Sequence, residues 1–280
     1  MPLTIQVPAS TTNLGPGFDC LGAALRLWNR ISIEVGLNEG PTLGIVSEAA
    51  ELFFRRTGEK PFPVRCSIEG DIPQARGLGS SVTIRLSVLM ALDRLTNRRL
   101  SQEELCSLCA ELEGHPDNAA AALFGGFTVI AKTIKRVARF DIDPALKFVL
   151  FVPDFEVKTS EARTVVPSVF PRQAVVENLA NASLITAAFA SRQYGYLRDA
   201  FLDHLHQPFR EQFVPFLPKV LKAAAEAGAL GGFLSGSGST VACLTLSDGK
   251  EVAAAIATAA PEQNAKTLIV SADNEGARFL

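Results

Sequence analysis

The chain is 280 residues long, which at roughly 150 residues per domain allows one large domain or two modest ones, with ample material for a buried core. Hydrophobic residues make up 48% and charged residues 20%, values that exclude disorder, collagen-like repeats and low-complexity character. With 27 basic and 29 acidic residues the net charge is −2, too balanced for a protein whose main task is holding a polyanion such as DNA, although a small anion gripped by backbone groups stays open.

Residues 1–7 lack the basic start and apolar stretch of a signal peptide, and no apolar run approaches the ~20 residues that span a bilayer. A cytoplasmic protein is expected, with no membrane and no nucleic-acid partner. Alternation over residues 3–8 reads as a strand, followed by a polar, glycine-rich stretch over 9–22. Ile31, Ile33 and Val35 alternate with Ser32 and Glu34 in a second strand over 30–36, and Val64, Cys66 and Ile68 mark a third over 64–70. The run from Asp71 to Ser81 then opens an apolar helix over about 81–95. Ser101, with Glu104 three residues later, has the form of a helix cap. That helix should run to about residue 113, where Gly114-His115-Pro116 breaks it.

Cys20, Cys66, Cys106, Cys109 and Cys243 form an odd set without framework spacing. Cys106 and Cys109 are a CxxC with no second CxxC or His pair to complete a zinc site, and they share one face of the helix expected over 101–113. They read as small apolar core residues of a reducing compartment. Strands are expected over 127–132 and 147–152. Beyond Pro153 the character changes: long helices over 171–191 and 215–227, strands over 232–235 and 240–246 flanking a glycine loop, a helix over 249–259 and a last strand over 266–270. The pattern is α+β, with a boundary near 150–160 and no internal repeat.

Local chemistry stands out in three places. In Pro73-Gln74-Ala75-Arg76-Gly77-Leu78-Gly79-Ser80-Ser81, two glycines allow a backbone that exposes consecutive N–H groups. Ser80 and Ser81 sit at a helix start whose first amides lack intrahelical acceptors. Together these suit a phosphate, and the absence of Gly-Lys-Ser/Thr excludes a Walker A loop. Gly231-Gly232-Phe233-Leu234-Ser235-Gly236-Ser237-Gly238-Ser239-Thr240 is richer in glycine and serine than a two-residue hairpin needs, which suggests close backbone approach to a ligand or another loop. Glu111-Leu112-Glu113-Gly114-His115-Pro116-Asp117-Asn118 packs carboxylates, a His and an Asp-Asn pair beside an apolar run. An acid there suits a metal ion, while His115 by itself reads as a structural hydrogen-bonding residue. The segment from Ser10 to Asp19 also places polar side chains on a path fixed by its glycines and proline.

In this order, the segments resemble the GHMP kinase superfamily, and within it the homoserine kinases. The first motif is carried by the run from Val7 to Gly22, the phosphate loop by Arg76-Gly77-Leu78-Gly79-Ser80-Ser81 and the third motif by the run from Leu234 to Thr240. Glu113-Gly114-His115-Pro116-Asp117-Asn118 points away from relatives acting on mevalonate or galactose, and the run from Lys158 to Arg163 and Gln207-Pro208-Phe209-Arg210 are similar to substrate-side segments. The resemblance spans essentially the whole chain. It implies a two-domain α+β fold, with an N-terminal ATP-binding domain over 1–153 containing a left-handed βαβ unit, rare by general rules. A C-terminal ferredoxin-like domain over 154–280 follows, with the active site between them and a homodimer as the family form. It implies ATP, Mg²⁺ and phosphoryl transfer to the side-chain hydroxyl of L-homoserine, in threonine biosynthesis.

By the same resemblance, Pro73, Arg76, Gly77, Leu78, Gly79, Ser80, Ser81, Gly236, Ser237 and Gly238 would hold the nucleotide. Ser81 or Ser80 and Glu113 would ligate Mg²⁺, with Glu111 a rival for the carboxylate. Asp19 would take the substrate ammonium, Arg163 and Arg210 its carboxylate as planar forks, with Thr159 beside them, and Asn13 and Asn118 would orient the reacting hydroxyl. Asp117 stands where relatives carry a proposed base; proton transfer directly to the phosphate is the alternative. Two departures are visible. Ser239 replaces a usual proline, which is expected to loosen the third loop, and Val82-Thr83-Ile84-Arg85 replaces a run of small residues, so that Arg85 alters nucleotide packing if it faces the cleft. The alternatives to a homoserine kinase are another small-alcohol kinase of the superfamily and a non-catalytic nucleotide or metabolite sensor on the same scaffold.

Overall fold

The computed structural model describes residues 2–36, 44–131, 133 and 135–280. β1 (Leu3–Thr12) and β2 (Leu21–Val35) form a long antiparallel pair; α1 (Gly44–Thr57) and β3 (Val64–Gly70) follow. α2 (Ser80–Thr96), α3 (Gln102–Glu113) and α4 (Asp117–Phe124) lead to β4 (Phe127–Ala131) and β5 (Arg136–Phe140). The second half comprises β6 (Lys147–Val152), α5 (Thr159–Thr164), α6 (Arg172–Ser191), α7 (Gln207–Arg210), α8 (Leu217–Glu226), β7 (Gly231–Leu234), β8 (Val241–Thr245), α9 (Lys250–Ala259), β9 (Lys266–Val270) and β10 (Arg278–Phe279).

β1 runs four residues past the expected end at Pro8. Ala9 to Thr12 are buried although three of the four are polar, so no alternation marks them; a register shift between Pro8 and Ala9 separates the two halves of the strand. β2 likewise begins at Leu21, well ahead of the expected start at Arg30, and its first two residues fall in the stretch read as polar and glycine-rich. α1, β5, α5 and β10 carried no sequence expectation, and Lys132, the last residue of the strand expected over 127–132, lies outside the described residues. The caps of α3 are as expected: Ser101 and Glu104 form a reciprocal capping box, and Gly114 closes the helix at φ 81°.

The strands form two sheets, ordered β10-β1-β2-β4-β5, with β3 also on β2, and β7-β8-β6-β9. Every hydrogen-bonded pair among the described residues is antiparallel. β3 and β4 both pair with β2, on its Asn29–Val35 and Leu21–Ala23 ends respectively, so they run parallel to each other without touching side by side. The second sheet, taken with its helices, has ferredoxin-like order. β6 precedes residue 153 yet pairs with β8 and β9, whereas β10 returns to pair with β1.

Ile5, Val7, Phe53, Leu89 and Cys109 belong to one core, beneath the first sheet's helices, and Leu14, Phe127, Phe148, Phe189 and Phe233 to a second, shared by both sheets. Cys106 and Cys109 are core residues as expected, and burial pushes the Cys106 thiol to about 12. No helix among the described residues is long and apolar enough to cross a membrane.

The segment that carries β10 home is anchored by Asp273, 4% exposed, whose carboxylate accepts from Trp28 Nε1 at 2.7 Å and from the amides of Glu275 and Gly276 at 2.9 and 2.8 Å. Asp273→Ala leaves these donors without an acceptor, at about 1–3 kcal/mol per buried group. Urea titration should show a loss of about 2–4 kcal/mol; a change within about 0.5 kcal/mol would mean the segment holds without it.

Candidate active site

Three turns meet in one cleft: the segment after β1, the 73–81 turn that opens α2, and the 235–240 loop between β7 and β8. Ser235 joins them. Its buried hydroxyl donates to the Gly77 carbonyl at 2.6 Å, and Thr11 Oγ1 lies 2.8 Å away as the remaining donor. Gly77 has φ 73° and an added Cβ would lie 2.1 Å from the Ser235 carbonyl; at Gly79, φ 69°, it would lie 2.1 Å from Ser10 Oγ. The glycines of the phosphate-type loop are therefore demanded by backbone packing as well as by any ligand. Gly79 caps α2 without a side-chain hydrogen bond and no acid occupies the first turn, so the helix presents bare amides and its positive dipole end to the cleft.

The cleft, about 860 Å³ including its open mouth, is lined by Asn13, Asp19, Asn118, Thr159, Arg163 and Arg210, by residues 76–81 and Glu113, and by Gly236 and Ser237. Two expected nucleotide residues, Pro73 and Gly238, are not on its wall. Gly238, at φ 93°, donates its amide to the Ser235 carbonyl at 2.8 Å and so forms the loop's own turn. Arg76 reaches the wall, but its guanidinium donates to the carbonyls of Pro153 (3.0 Å) and Gln74 (3.1 Å), bracing the turn against the start of the second half. Thr12 and His115 line the cleft as well, and His115 is hydrogen-bonded to Asp117, as its reading as a structural hydrogen-bonding residue expects.

Asn13 and Asn118 stitch the wall together. Asn13, at φ 70°, donates from Nδ2 to the Gly236 carbonyl at 3.0 Å and accepts the Asp19 amide at 3.1 Å. Asn118 Oδ1 accepts from Ser10 Oγ at 2.7 Å. Asp19 and Arg163 pair fork to fork, at 2.7 and 3.0 Å, each side chain about one-third exposed. Arg210 is 2% exposed; it donates to the carbonyls of Ala162 (3.1 Å) and Gly236 (3.0 Å) and lies 5.0 Å from the Phe18 ring. Burial, aided by the Arg163 charge, pushes its pKa down to about 10, still protonated at neutral pH. His206 stacks on Phe18, with Nε2 2.8 Å from the Gly15 carbonyl and Nδ1 3.2 Å from Arg210 Nη1. Burial outweighs the pull of Asp203 and keeps that ring neutral, so Nε2 donates to Gly15 and Nδ1 accepts from Arg210.

Ser81 Oγ donates to Glu113 Oε2 at 3.1 Å. Glu111 is turned away: it pairs with Arg56 on the exposed surface at 2.8 Å and does not line this cleft. Arg85 faces Glu113 at 2.5 Å. Ser239, expected to loosen its loop, instead donates from its buried hydroxyl to the Phe155 carbonyl at 2.7 Å, and the Thr240 amide bonds the Arg76 carbonyl at 3.2 Å. That loop is tied at both flanks.

His115 Nδ1 lies 2.6 Å from Asp117 Oδ1, which also accepts the Asn118 amide at 2.8 Å. Burial alone would raise the Asp117 carboxyl, but His115, that amide and the Thr12 hydroxyl hold it below the ordinary carboxylate range. For His115, burial opposes the charge and the Asp117 contact overcomes it, raising the ring's pKa.

The chain matches the family of GHMP kinases through its N-terminal domain over residues 44–126 and its C-terminal domain over 185–264. It is 35% identical over 294 residues to the homoserine kinase of Caldicellulosiruptor saccharolyticus, covering 98% of this chain and 96% of that one. The homoserine kinase of Aquifex aeolicus is 36% identical over 293 residues, 99% of each chain. Among solved structures, homoserine kinase from Cytophaga hutchinsonii superposes with a TM-score of 0.88 at 23% identity, covering 100% of this chain and 97% of that one, a likeness of fold.

The His115–Asp117 pair sets a stability window. The raised His115 pKa contributes stability that is complete below its ordinary value of 6.5 and is lost as pH rises through the folded value; the lowered Asp117 pKa contributes stability that is complete above 3.8 and is lost as pH falls through its folded value. Thermal melts from about pH 6 to about pH 9 should show the melting temperature falling, and His115→Gln should flatten that limb. A parent profile already flat there would show that the pair does not stabilise the fold.

Proposed function

The chain belongs to the GHMP kinase family, and on that premise we propose that it transfers the γ-phosphoryl group of ATP to the side-chain hydroxyl of L-homoserine, giving O-phospho-L-homoserine, a step of threonine biosynthesis. The observation that carries this reading is the meeting, in one cleft, of an acid and two arginines with the bare amide end of α2. Opposite charges a few ångströms apart suit the two ends of a zwitterion, and the helix end suits phosphate. The relatives' names point the same way.

Asp19 takes the ammonium and Arg163 and Arg210 the carboxylate, so the substrate enters by parting the Asp19–Arg163 fork and satisfying each half with its own charge. The two arginines differ in preparation: Arg210 is buried and fixed by two carbonyls and His206, whereas Arg163 is half-buried and held by Asp19, with the Phe18 ring 5.6 Å from its guanidinium. Residues 77–81 hold the triphosphate through backbone amides, with Ser80 and Ser81 hydroxyls beside them. Thr159 Oγ1 lies 3.3 Å from Ser237 Oγ, placing α5 against the third loop at the substrate side.

The Ser81 hydroxyl in the first turn of α2 and the Glu113 carboxylate at the end of α3 lie 3.1 Å apart, a hard-oxygen pair that fits Mg²⁺, so Ser81 and Glu113 are the residues that would hold it. When bound, Mg²⁺ neutralises charge on the transferring phosphates. Asn118, fixed by Ser10, orients the reacting hydroxyl, and Asn13 holds the wall by bridging Asp19 to Gly236. Asp117 is bonded to His115 and to an amide and is held strongly ionised, which suits the anchoring of His115 better than proton abstraction. We assign the hydroxyl proton to the phosphoryl group.

An ADP-release assay over homoserine, mevalonate and galactose should respond to homoserine; turnover of mevalonate or galactose with homoserine ignored would leave the family and overturn the substrate. Arg163→Ala should lower kcat/KM for homoserine about 10–100-fold, through lost charged hydrogen bonds of about 1.5–3 kcal/mol, with KM for ATP unchanged; an equal rise in both KM values would place Arg163 elsewhere. Asp117→Asn should cost less than the about 10²–10⁴-fold that loss of a general base brings. A loss in that range from a folded variant restores the base.

A further inference from the structure

Glu113 is the last residue of α3, and the last turn of that helix carries no basic residue. A carboxylate at the negative end of a helix dipole is unfavourable, the more so when its side chain is only 9% exposed. The compensating charge comes from the neighbouring helix. Arg85 lies four residues after Ser81 on α2, so the two share a face, and both reach Glu113: Arg85 Nη1 meets Oε1 at 2.5 Å while Ser81 Oγ donates to Oε2 at 3.1 Å. Arg85 Nη2 continues to Glu48 of α1 at 3.1 Å. The guanidinium side chain is 15% exposed, and its Nε is buried without a hydrogen-bond partner. Holding an arginine here leaves a buried donor unmet, which packing alone does not require.

We propose that Arg85 is a positioning residue that serves as the resident counter-ion of Glu113 and makes retention of a divalent cation depend on the nucleotide. This rests on the reading of Ser81 and Glu113 as the cation's holders. Arg85 claims one carboxylate oxygen and aims the other at Ser81, so the carboxylate is oriented. Its charge is also already balanced, so a lone cation gains little from Glu113 and is repelled by the guanidinium behind it. Only with the nucleotide's phosphates in the cleft is there enough negative charge to keep the cation. A bracing role alone would predict lower stability without Arg85 and no gain in cation affinity.

The test is Mn²⁺ binding to the purified chain, read by the electron paramagnetic resonance signal of free Mn²⁺, with and without a non-hydrolysable ATP analogue. Arg85→Met, and Arg85→Gln measured in parallel in case the first fails to fold, should bind Mn²⁺ without nucleotide at least about tenfold more tightly than the parent, opposite in sign to the roughly 10–100-fold loss that removing a residue which supports a metal ligand brings. Arg85→Lys, which keeps the charge, should stay near the parent. The gain should vanish when Glu113→Gln is added. Unchanged or weaker nucleotide-free binding in the folded Arg85 variants overturns the proposal. The metal reading is decided separately: Glu113→Gln alone should weaken Mn²⁺ binding in the presence of the analogue, and no effect there, or a gain in Arg85→Met that survives the added Glu113→Gln, overturns Glu113 as ligand.

Discussion

The cleft depends on one hydroxyl. Ser235 sits where the edge of the second sheet touches the first, and its single proton goes to the Gly77 carbonyl while Thr11 donates to its oxygen. That arrangement fixes the spacing of two turns and the end of β1, from distant parts of the chain. The phosphate-type turn can approach so closely only because Gly77 lacks a Cβ. Asn13, Arg76 and Thr240 add further ties between the same segments. The cleft is thus a seam between two sheets, and every group proposed to touch ligand is attached to one side of it.

Along that seam each of three acids is matched by a cationic partner before any ligand enters. Asp19 is met by Arg163, Asp117 by His115, and Glu113 by Arg85. Each acid lies at a helix end, as Glu113 and Asp117 do, or in a left-handed turn, as with Asp19 at φ 58°, where backbone geometry aims the side chain. Matching keeps the burial of charge tolerable. It also means that ligand binding exchanges partners, so the affinity gained is a difference between two good contacts.

The elements with regular apolar spacing were legible: the caps of α3, the whole of β6 and β9, and the hairpin around the glycine loop. The second half of β1 was not, because Ser10, Thr11 and Thr12 are polar residues buried for the sake of the seam, and polarity reads as loop. α1 escaped notice although its Val46, Ala49 and Phe53 face the core. At the site, a resemblance of motifs pointed to Asp19, Arg163 and Arg210, which line one cleft, and to Pro73 and Gly238 as nucleotide residues, which lie off that cleft's wall. Spacing along a chain says nothing of which face of a turn looks outward. It also could not tell Glu111 from Glu113, two residues apart, a choice made by Arg56 and Arg85 on other helices.

The pairing of β10 with β1 has a consequence for biosynthesis. Ile5 and Gln6 meet Phe279 and Arg278, so during translation β1 waits for a partner made after the entire second sheet. Throughout elongation that flank offers unpaired backbone groups to other nascent chains. Proteolytic cleavage just ahead of β10 would reopen that flank in the finished enzyme.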